Sequence, residues 1–364
     1  MKKLLSLLLV LILCFSLAAC DNGSDAVSSD ESSAETESEH IIANPNPEEN
    51  GSTPLLYKIT DKDGNYCYLF GTVHVGEDWM YPLPDYVYSA IDDSDAVALE
   101  IDSTKYESDY QFQTELLREY LYYDGSKITD YISDDLYKKA KKILTDNGYT
   151  TLFPTFDSIM PSYWEQIITQ IYMEELGVDY EKGLEDHLTK IAKEKVKPVI
   201  EVEDAFDHAT FQAYYTYELQ EYMLEAIVEE YNDEEAREET KKELKESLRI
   251  WASGDEQEQY KSMRAYPEFE DIREKRLYEE YNGEMLTRRD HIMAEFIAEA
   301  LANGDKNFVA VGAAHVVGEN SVIEILREFG YTVEVISKNT PQKNDTTSSE
   351  TETPDTKPSL SFAA

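Results

Sequence analysis

Five short apolar segments limit the folds open to this chain more than any other feature of its sequence. They span residues 66–73, 96–101, 196–202, 308–311 and 332–336. Most are apolar or β-branched runs without strict alternation, which is typical of strands that are covered on both faces. The sequence between them is strongly helical, so we predict an α/β fold in which a central mixed sheet is covered by helices.

The helical segments carry apolar residues at helical spacing. We predict helices over 134–147, 184–194, 210–254, 287–302 and 321–329. Gly148, Gly304 and Gly330 follow three of them, and glycine is a typical C-terminal cap. Because no strand pattern interrupts residues 205–285, we predict an α-helical insert there, within one domain that covers residues 53–338.

Both ends of the chain differ in composition from this domain. Residues 1–19 have a basic start, an apolar run and small residues before Cys20, which describes an export signal whose end is similar to the bacterial lipobox. We therefore expect a signal peptide over 1–19, lipidation of Cys20, a disordered tether over 20–52 and a disordered tail over 339–364. The expected location is the extracytoplasmic face of the cell membrane.

Charge and cysteine content exclude several classes of function. The formal net charge of −42 repels nucleic acids and anionic lipid headgroups, so the lipid would be the membrane anchor. Of the three cysteines, Cys14 would leave with the signal and Cys20 would carry lipid. Cys67 then has no partner within the chain, which excludes a disulfide framework and a cysteine-rich zinc site. A homodimer is compatible with the sequence.

Two of the predicted strands end in the same short motif, Gly-x-x-His. The first motif runs from Gly71 to His74 and the second from Gly312 to His315. Glycine lets the backbone bend or lets another chain approach closely. Each histidine follows a strand at the edge where ligands collect in α/β sheets. Imidazole is a common metal ligand and a usable general base, so we predict that the two motifs serve one chemical site.

Two other predicted strands end in carboxylates. Glu100 closes the second strand, and Glu201 and Glu203 lie at the end of the third. A carboxylate is expensive to bury unless it is paired or binds a metal ion. Two histidines and two glutamates at four strand ends would suit a divalent ion with an open position for water, with a spare glutamate as general base.

Four blocks of sequence resemble the TraB/PrgY/GumN family, whose animal relatives include the Tiki membrane proteases. They are YLFGTVHVG (68–76) with AVALE (96–100), GLEDHL (183–188) with KPVIEVE (197–203), LTRRDHIM (286–293), and FVAVGAAHVVG (308–318). The resemblance extends over most of residues 55–336. The departures are modest: Asp290 replaces the usual Asn, and Val316 replaces a common Leu.

The resemblance implies a fold related to the erythromycin-esterase and ChaN-like group and, for the Tiki branch, a metal-dependent peptidase. His74, His315 and Glu100 would hold a divalent ion (manganese, cobalt or zinc). Glu100 and Glu203 would supply the ligand and the general base in an order that remains open, as does the choice between Glu201 and Glu203. Arg289 would hold a substrate carboxylate or a developing oxyanion, and Glu185 would begin a helix near the site.

Three functions follow as hypotheses. The first is a membrane-anchored metal-dependent hydrolase that acts on a peptide or protein substrate. The second is a non-catalytic protein that binds and sequesters a peptide, as is thought for some bacterial members linked to peptide pheromones. The third is a metal-free hydrolase that uses histidine and glutamate, as in the erythromycin-esterase relatives.

Overall fold

The computed structural model describes residues 43–106, 109–149 and 155–336. The predicted signal peptide, Cys20 and the predicted tail lie outside these residues. The strands are β1 (Leu56–Thr60), β2 (Tyr66–Thr72), β3 (Ala96–Leu99), β4 (Val199–Glu201), β5 (Asn307–Gly312) and β6 (Thr332–Ile336). All form one mixed sheet in the order β4-β3-β5-β2-β1-β6.

Fourteen α-helices surround this sheet within the described residues. They are α1 (Pro47–Asn50), α2 (Asp85–Asp93), α3 (Tyr110–Glu119), α4 (Asp134–Asp146), α5 (Pro161–Leu176), α6 (Leu184–Glu194), α7 (Ala205–Thr210), α8 (Tyr217–Asn232), α9 (Glu234–Ser253), α10 (Glu256–Met263), α11 (Ile272–Asn282), α12 (Arg288–Asn303), α13 (Ala313–Val316) and α14 (Val322–Glu328). A π-helical turn, Gly283–Thr287, leads into α12. The predicted α/β fold with a helical insert is confirmed.

The four strands β4, β3, β5 and β2 are parallel neighbours. Their carboxyl ends therefore meet at one edge of the sheet, which we call the carboxyl edge. β1 is antiparallel to both β2 and β6, so it is the one described strand that runs in the opposite direction. The strand predicted over 332–336 has the predicted bounds, whereas the strand predicted over 196–202 begins only at Val199.

Strand β1 was not predicted, although its sequence carries a hairpin signal. The segment LYKIT is followed by Asp61, and Gly64 in this turn has a φ of +90°. The Asp61 carboxylate accepts hydrogen bonds from the backbone N–H groups of Asp63 and Asn65, both at 2.8 Å. A β-rich segment followed by Asp-Gly is a typical hairpin signature, and it predicts this antiparallel pair.

Alternate residues of the central strands enter two apolar cores, one on each face of the sheet. In β2, Phe70 packs in the core that includes the helical insert, whereas Leu69 packs in the core formed with α12 and α14. Both side chains are fully buried. Since burial of one such side chain stabilises the fold by about 1.5–3 kcal/mol, these two layers hold the sheet and its carboxyl edge in place.

The helical insert consists of several helices instead of the single long one predicted over 210–254. The break falls at Asp233, whose carboxylate caps α9 by accepting hydrogen bonds from Glu235 and Ala236. Near the end of α9, the Trp251 indole Nε1–H donates a 2.9 Å hydrogen bond to the carbonyl oxygen of Gly71. The insert is therefore attached directly to the first Gly-x-x-His strand end.

The folded region begins before the boundary predicted at residue 53. The backbone N–H of Asn44 donates to the carbonyl oxygen of Ser253 at 2.9 Å, and Thr53 N–H donates to Ala252 at 2.7 Å. Pro47 and Ser52 are buried. Residues 43–52 are thus packed on the end of α9 and correct the predicted extent of the tether. Across the described residues, none of the helices combines the length and apolarity that crossing a bilayer requires.

Candidate active site

The carboxyl edge brings together the side chains that close the four parallel strands. In strand order, β4 is followed by Glu203, β3 by Glu100, β5 by His315 and β2 by His74. Backbone pairing continues past β3 and β4, because the N–H of Glu203 donates to the carbonyl oxygen of Glu100 at 3.1 Å. The two carboxylates are therefore fixed side by side.

Arg289, on the first turn of α12, lies between these two carboxylates. Its Nη2 donates to Glu100 Oε2 at 2.6 Å and to Glu203 Oε2 at 2.7 Å, and its Nε donates to Glu203 Oε1 at 3.0 Å. The remaining Nη1 contacts the carbonyl oxygen of Met285 at 3.4 Å. The guanidinium is buried and occupied by protein groups, which differs from the predicted role of holding a substrate carboxylate directly.

These contacts decide the charge of both carboxyl groups. Burial alone would raise the pKa of Glu100, but Arg289 and the nearby His315, His208 and His74 more than offset burial and hold that pKa well below its usual range. For Glu203, burial is likewise outweighed by hydrogen bonds from His208 and Arg289, which lower the pKa to about 2. Both groups are therefore ionised at neutral pH.

His315 lies in a fully enclosed network. Its Nδ1 is 2.7 Å from Asp290 Oδ1, and the other oxygen of Asp290 accepts a 2.7 Å hydrogen bond from Arg264 Nη2. Arg264 also donates to the carbonyl oxygens of Ala314 at 2.8 Å and Glu319 at 2.9 Å. Only 1% of the His315 side chain is exposed. This network holds the imidazole through Nδ1. Nε2 is the ring nitrogen that takes no part in these contacts.

His74 has a similar carboxylate partner in a more open setting. Its Nδ1 lies 3.2 Å from Glu185 Oε1, with 34% and 21% of the two side chains exposed. Glu185 is in the first turn of α6, and the helix is held at the end of β2 because Leu184 N–H donates to Val73 O at 3.0 Å. A Cβ on Gly183 would lie 2.4 Å from the carbonyl oxygen of His74, so glycine permits this close approach.

The two Gly-x-x-His motifs are in contact with each other. A Cβ on Gly71 would lie 3.0 Å from Cα of Ala313, which is part of the second motif. Glu100 links both motifs, because its Oε1 accepts a 2.6 Å hydrogen bond from the N–H of Gly312 and its charge is influenced by both His74 and His315. The arrangement thus places two carboxylate-backed imidazoles around one buried glutamate.

The choice between Glu201 and Glu203 is answered by position. Glu203 contacts Arg289, whereas Glu201 lies outside that cluster and accepts hydrogen bonds from Asp102 N–H at 3.0 Å and Tyr106 Oη at 3.2 Å. Lys105 Nζ also lies 3.3 Å from Glu201. Glu203, not Glu201, is therefore the residue after β4 that joins Glu100 at the carboxyl edge.

The metal-ligand geometry differs from the predicted set. Among the described residues, the group of three whose ligand atoms all lie within 4.8 Å of one another is Glu100, Glu203 and His208, not His74, His315 and Glu100. His208 was not among the predicted site residues, yet its Nδ1 is 3.0 Å from Glu203 Oε2. Its position five residues after Glu203, beyond a helix-capping Asp204, is the sequence signal that could have identified it.

Comparison with known proteins supports the family resemblance. The model of the TraB/PrgY/gumN family matches residues 55–335. The chain belongs to this family. All residues of the carboxyl edge described above lie inside the matched region.

Two similar curated proteins carry the same name. "Uncharacterized protein YbaP" of Shigella flexneri and its counterpart in Escherichia coli (strain K12) are each 28% identical to this chain over 148 residues. The match covers 40% of this chain and 52% of each relative, so the chain spans about half the length of the curated relatives it matches. No solved structure matches the chain significantly.

Proposed function

We propose that this TraB/PrgY/gumN family protein is a metal-dependent hydrolase of the peptidase class, anchored at the extracytoplasmic face of the cell membrane. The observation that supports this most is the pair of histidines at one sheet edge, each with Nδ1 against a carboxylate. Metal-binding histidines usually have their second nitrogen held in this way, because the carboxylate fixes the ring and raises its basicity as a ligand.

The donor set has the chemistry of a divalent metal site. His74 and His315 would each offer Nε2, and Glu100 is ionised and would offer a carboxylate oxygen. The ligand atoms of these three residues do not all lie within 4.8 Å of one another, so a bound ion would have to draw the side chains together. Two imidazoles and a carboxylate suit manganese, cobalt or zinc. A bound ion would supply Lewis-acid polarisation of a substrate carbonyl group.

The protein's own side chains set the charge around the reaction. Two ionised glutamates and one arginine leave the Glu100–Glu203–Arg289 group with an excess negative charge. Such a group stabilises positive charge nearby, such as a cation or a protonated imidazole. Arg289 prevents the two carboxylates from repelling each other, so its expected role is to hold the site together.

A metal-free hydrolase is the second candidate, and Arg289 is the observation that favours it. Its guanidinium already supplies a cation between Glu100 and Glu203, within hydrogen-bond distance of both. A histidine and the arginine would then perform proton transfer and charge stabilisation without an ion.

The remaining proposals concern partners and location. The predicted lipid on Cys20 would hold the protein at the membrane, and the expected substrate is a peptide or protein. The strongly acidic composition argues against nucleic acid as a partner.

Metal content and peptide cleavage test the proposed function. The full chain is purified in detergent, its bound metal is measured, and a quenched fluorescent peptide library is incubated with it in the presence and absence of a chelator. The His74→Ala variant and the matched variant His291→Ala, at an exposed histidine of α12, are treated identically.

We expect metal-dependent cleavage that is lost in His74→Ala and kept in His291→Ala. Cleavage that resists the chelator would support the metal-free hydrolase instead. Peptide binding without any turnover would show that the protein sequesters peptides and would overturn the hydrolase proposal.

A further inference from the structure

A group of tyrosines forms an aromatic surface beside the carboxyl edge. We call it the tyrosine patch, and it consists of Tyr122, Tyr123, Tyr131, Tyr214 and Tyr217. We propose that the tyrosine patch binds lysine and arginine side chains of the substrate, so that the protein acts on cationic peptides. This inference rests on the proposed function, because it names the substrate class of that reaction.

Three rings of the patch are packed against one another. The ring centroids of Tyr131 and Tyr217 are 4.0 Å apart, with the planes inclined by 30°. Those of Tyr122 and Tyr131 are 4.9 Å apart, with the planes inclined by 13°. Tyr122 also lies 6.1 Å from Tyr217. Because each ring limits the movement of the other two, the three tyrosines form a preformed aromatic surface.

Two further tyrosines extend this surface into solvent. Tyr123 and Tyr214 are 77% and 71% exposed, and Tyr217 is 38% exposed. The Tyr214 hydroxyl donates to Glu119 Oε2 at 3.1 Å, and the Tyr123 hydroxyl donates to the carbonyl oxygen of Arg118 at 3.0 Å. Both rings are therefore held at the last turn of α3. Single exposed aromatic residues are common, whereas adjoining ones usually mark an interaction surface.

The charges around the patch are mainly negative. Residues 118–135 and 204–217, which carry the patch, contain seven acidic residues and two basic ones, Arg118 and Lys127. The backbone carbonyl groups at the end of α3 add a partial negative charge. An aromatic face beside carboxylates attracts a cation both through the ring quadrupole and through the negative charge. An anionic side chain would be repelled by the same surroundings.

The tyrosine hydroxyl groups show that these carboxylates are close. The pKa of Tyr214 is raised first by its hydrogen bond to Glu119, then by desolvation and by the charge of Asp207. Burial is the largest cause of the raised pKa of Tyr217, and Asp124 raises it further. A cation on these rings would therefore lie within the electrostatic range of three carboxylates.

The patch adjoins the candidate active site through a short 3₁₀ turn that runs from Phe211 to Tyr214. The Phe211 ring lies 6.0 Å from the guanidinium carbon of Arg289, and Tyr214 follows it by about 6 Å along the turn. The Tyr120 hydroxyl donates to the carbonyl oxygen of Ala209 at 2.8 Å, which joins the end of α3 to α7. A peptide bound at the carboxyl edge would reach the patch within a few residues of the bond that is cleaved.

Charge also separates a cationic substrate from the other candidate occupants of this surface. A second copy of the chain carries the same net charge of −42. The segment over residues 20–42 contains acidic residues and no lysine or arginine. The carboxylates around the patch would repel both of them. A peptide with lysine or arginine fits both the aromatic rings and the charge.

Binding of a labelled lysine–glycine peptide to the full chain in detergent tests this inference. A glutamate–glycine peptide of equal length is the second probe, and fluorescence anisotropy at physiological salt gives both affinities. Wild type is compared with the double variants Tyr123→Ala/Tyr214→Ala and Tyr123→Phe/Tyr214→Phe. Tyr110→Ala is the matched control, because Tyr110 is 87% exposed and begins α3, at the opposite end of the helix from the patch.

We expect the lysine peptide to bind and the glutamate peptide to bind far more weakly. Loss of two exposed cation–π contacts should weaken binding by about 5- to 30-fold in the alanine double variant. The phenylalanine double variant keeps both ring faces, so it should bind like wild type, as should Tyr110→Ala. None of these substitutions changes the charge, so a general attraction to the acidic chain would be equal in all of them. Thermal midpoints should change little, because the substituted side chains are exposed.

Equal affinity of wild type and the alanine double variant for the lysine peptide would overturn this inference, as would tight binding of the glutamate peptide. A wild-type dimer in sedimentation that the alanine double variant lacks would also overturn it, because a second copy would then cover the patch. Peptide cleavage by wild type without lysine-peptide binding would remove the cationic substrate and leave the proposed function standing. Lysine-peptide binding at the patch without cleavage of any peptide would contradict the hydrolase and keep the patch as a peptide-binding surface.

Discussion

The two Gly-x-x-His motifs have the same sequence pattern and opposite surroundings. His315 and its partner Asp290 are 1% and 0% exposed, whereas His74 and its partner Glu185 are 34% and 21% exposed. The motif alone places an imidazole after a strand. Whether that imidazole is fixed or accessible depends on residues that are far away in the sequence. We call these the closed half (His315) and the open half (His74).

The closed half owes its rigidity to Arg264, at the end of α10 in the helical insert. This side chain ion-pairs with Asp290 and donates to three backbone carbonyl oxygens, including that of Asn320 at 2.8 Å. The open half depends instead on the close approach of two backbones near Gly76 and Gly183. Substitutions in the two halves should therefore differ in how much unfolding free energy they remove and in whether they also reduce cleavage and metal binding.

The largest effect should follow the removal of the buried arginine. Arg264→Met removes the arginine ion pair of the buried Asp290 and leaves only the contact with His315, which should cost about 3–5 kcal/mol of unfolding free energy. Arg288→Met, which breaks the solvent-exposed pair with Glu284, is the matched control and should cost no more than about 1 kcal/mol. Urea unfolding measures both, and equal losses would show that the closed half is not specially held.

Asp290→Asn tests whether the closed half needs both carboxylate oxygens of Asp290. The amide offers a single oxygen where Arg264 Nη2 and His315 Nδ1 each used one oxygen of the carboxylate. We expect a loss of about 1.5–3 kcal/mol in unfolding free energy, because one charged hydrogen bond is lost without a cavity. A stability unchanged from wild type would mean that Asn satisfies both partners.

Gly76→Ala disturbs the open half through the backbone. The added Cβ would lie 2.1 Å from the carbonyl oxygen of Lys182, so the His74 loop must move away from the start of α6. We expect a loss of about 1–3 kcal/mol in urea unfolding, with cleavage and metal binding reduced. Gly283→Ala is the control, because its Cβ meets nothing within 4 Å and its φ of −60° suits alanine.

Glu185→Gln should have the smallest effect on stability. Burial raises the pKa of Glu185, but His74 and hydrogen bonding outweigh it, so the folded pKa is lowered. The ionised Glu185 therefore contributes to the free energy of unfolding at pH values above the pKa of the unfolded chain, about 4.3. This contribution is lost as the pH falls through the lower pKa of the folded protein. The variant should therefore be less stable than wild type by up to about 1 kcal/mol at neutral pH, and equally stable in strong acid. A larger loss of unfolding free energy would show that the open half is held as firmly as the closed half.

The fold was largely readable from sequence because its strands are short, apolar and separated by helices. The strand ends at Glu100, His315 and His74 were identified because parallel strands bring their carboxyl ends to one edge. β1 was missed because LYKIT is only five residues long and has a charged Lys58 at its centre, so its apolar pattern is weaker than that of the parallel strands. The helical break at Asp233 was missed because a single capping residue is a weak signal when the helical pattern continues on both sides of it.

The candidate site could be predicted from the sequence only in part. The partners of His315 are contributed by Asp290 and Arg264, which are 25 and 51 residues away in sequence, and no periodic pattern connects such contacts. Asp290 appeared in the sequence only as a departure from the family pattern. His208 lacked a strand-end setting, so its contact with Glu203 became visible only when the chain was folded.

Metal affinity in a double-mutant cycle tests most directly the central claim that both motifs serve one site. Calorimetric titration of Mn²⁺ is performed on wild type, His74→Ala, His315→Ala and the double variant. One shared ion predicts that each single substitution weakens binding by at least about tenfold and that the double variant is little worse than either. Unchanged affinity in one single variant, or losses that simply add, would contradict a shared site.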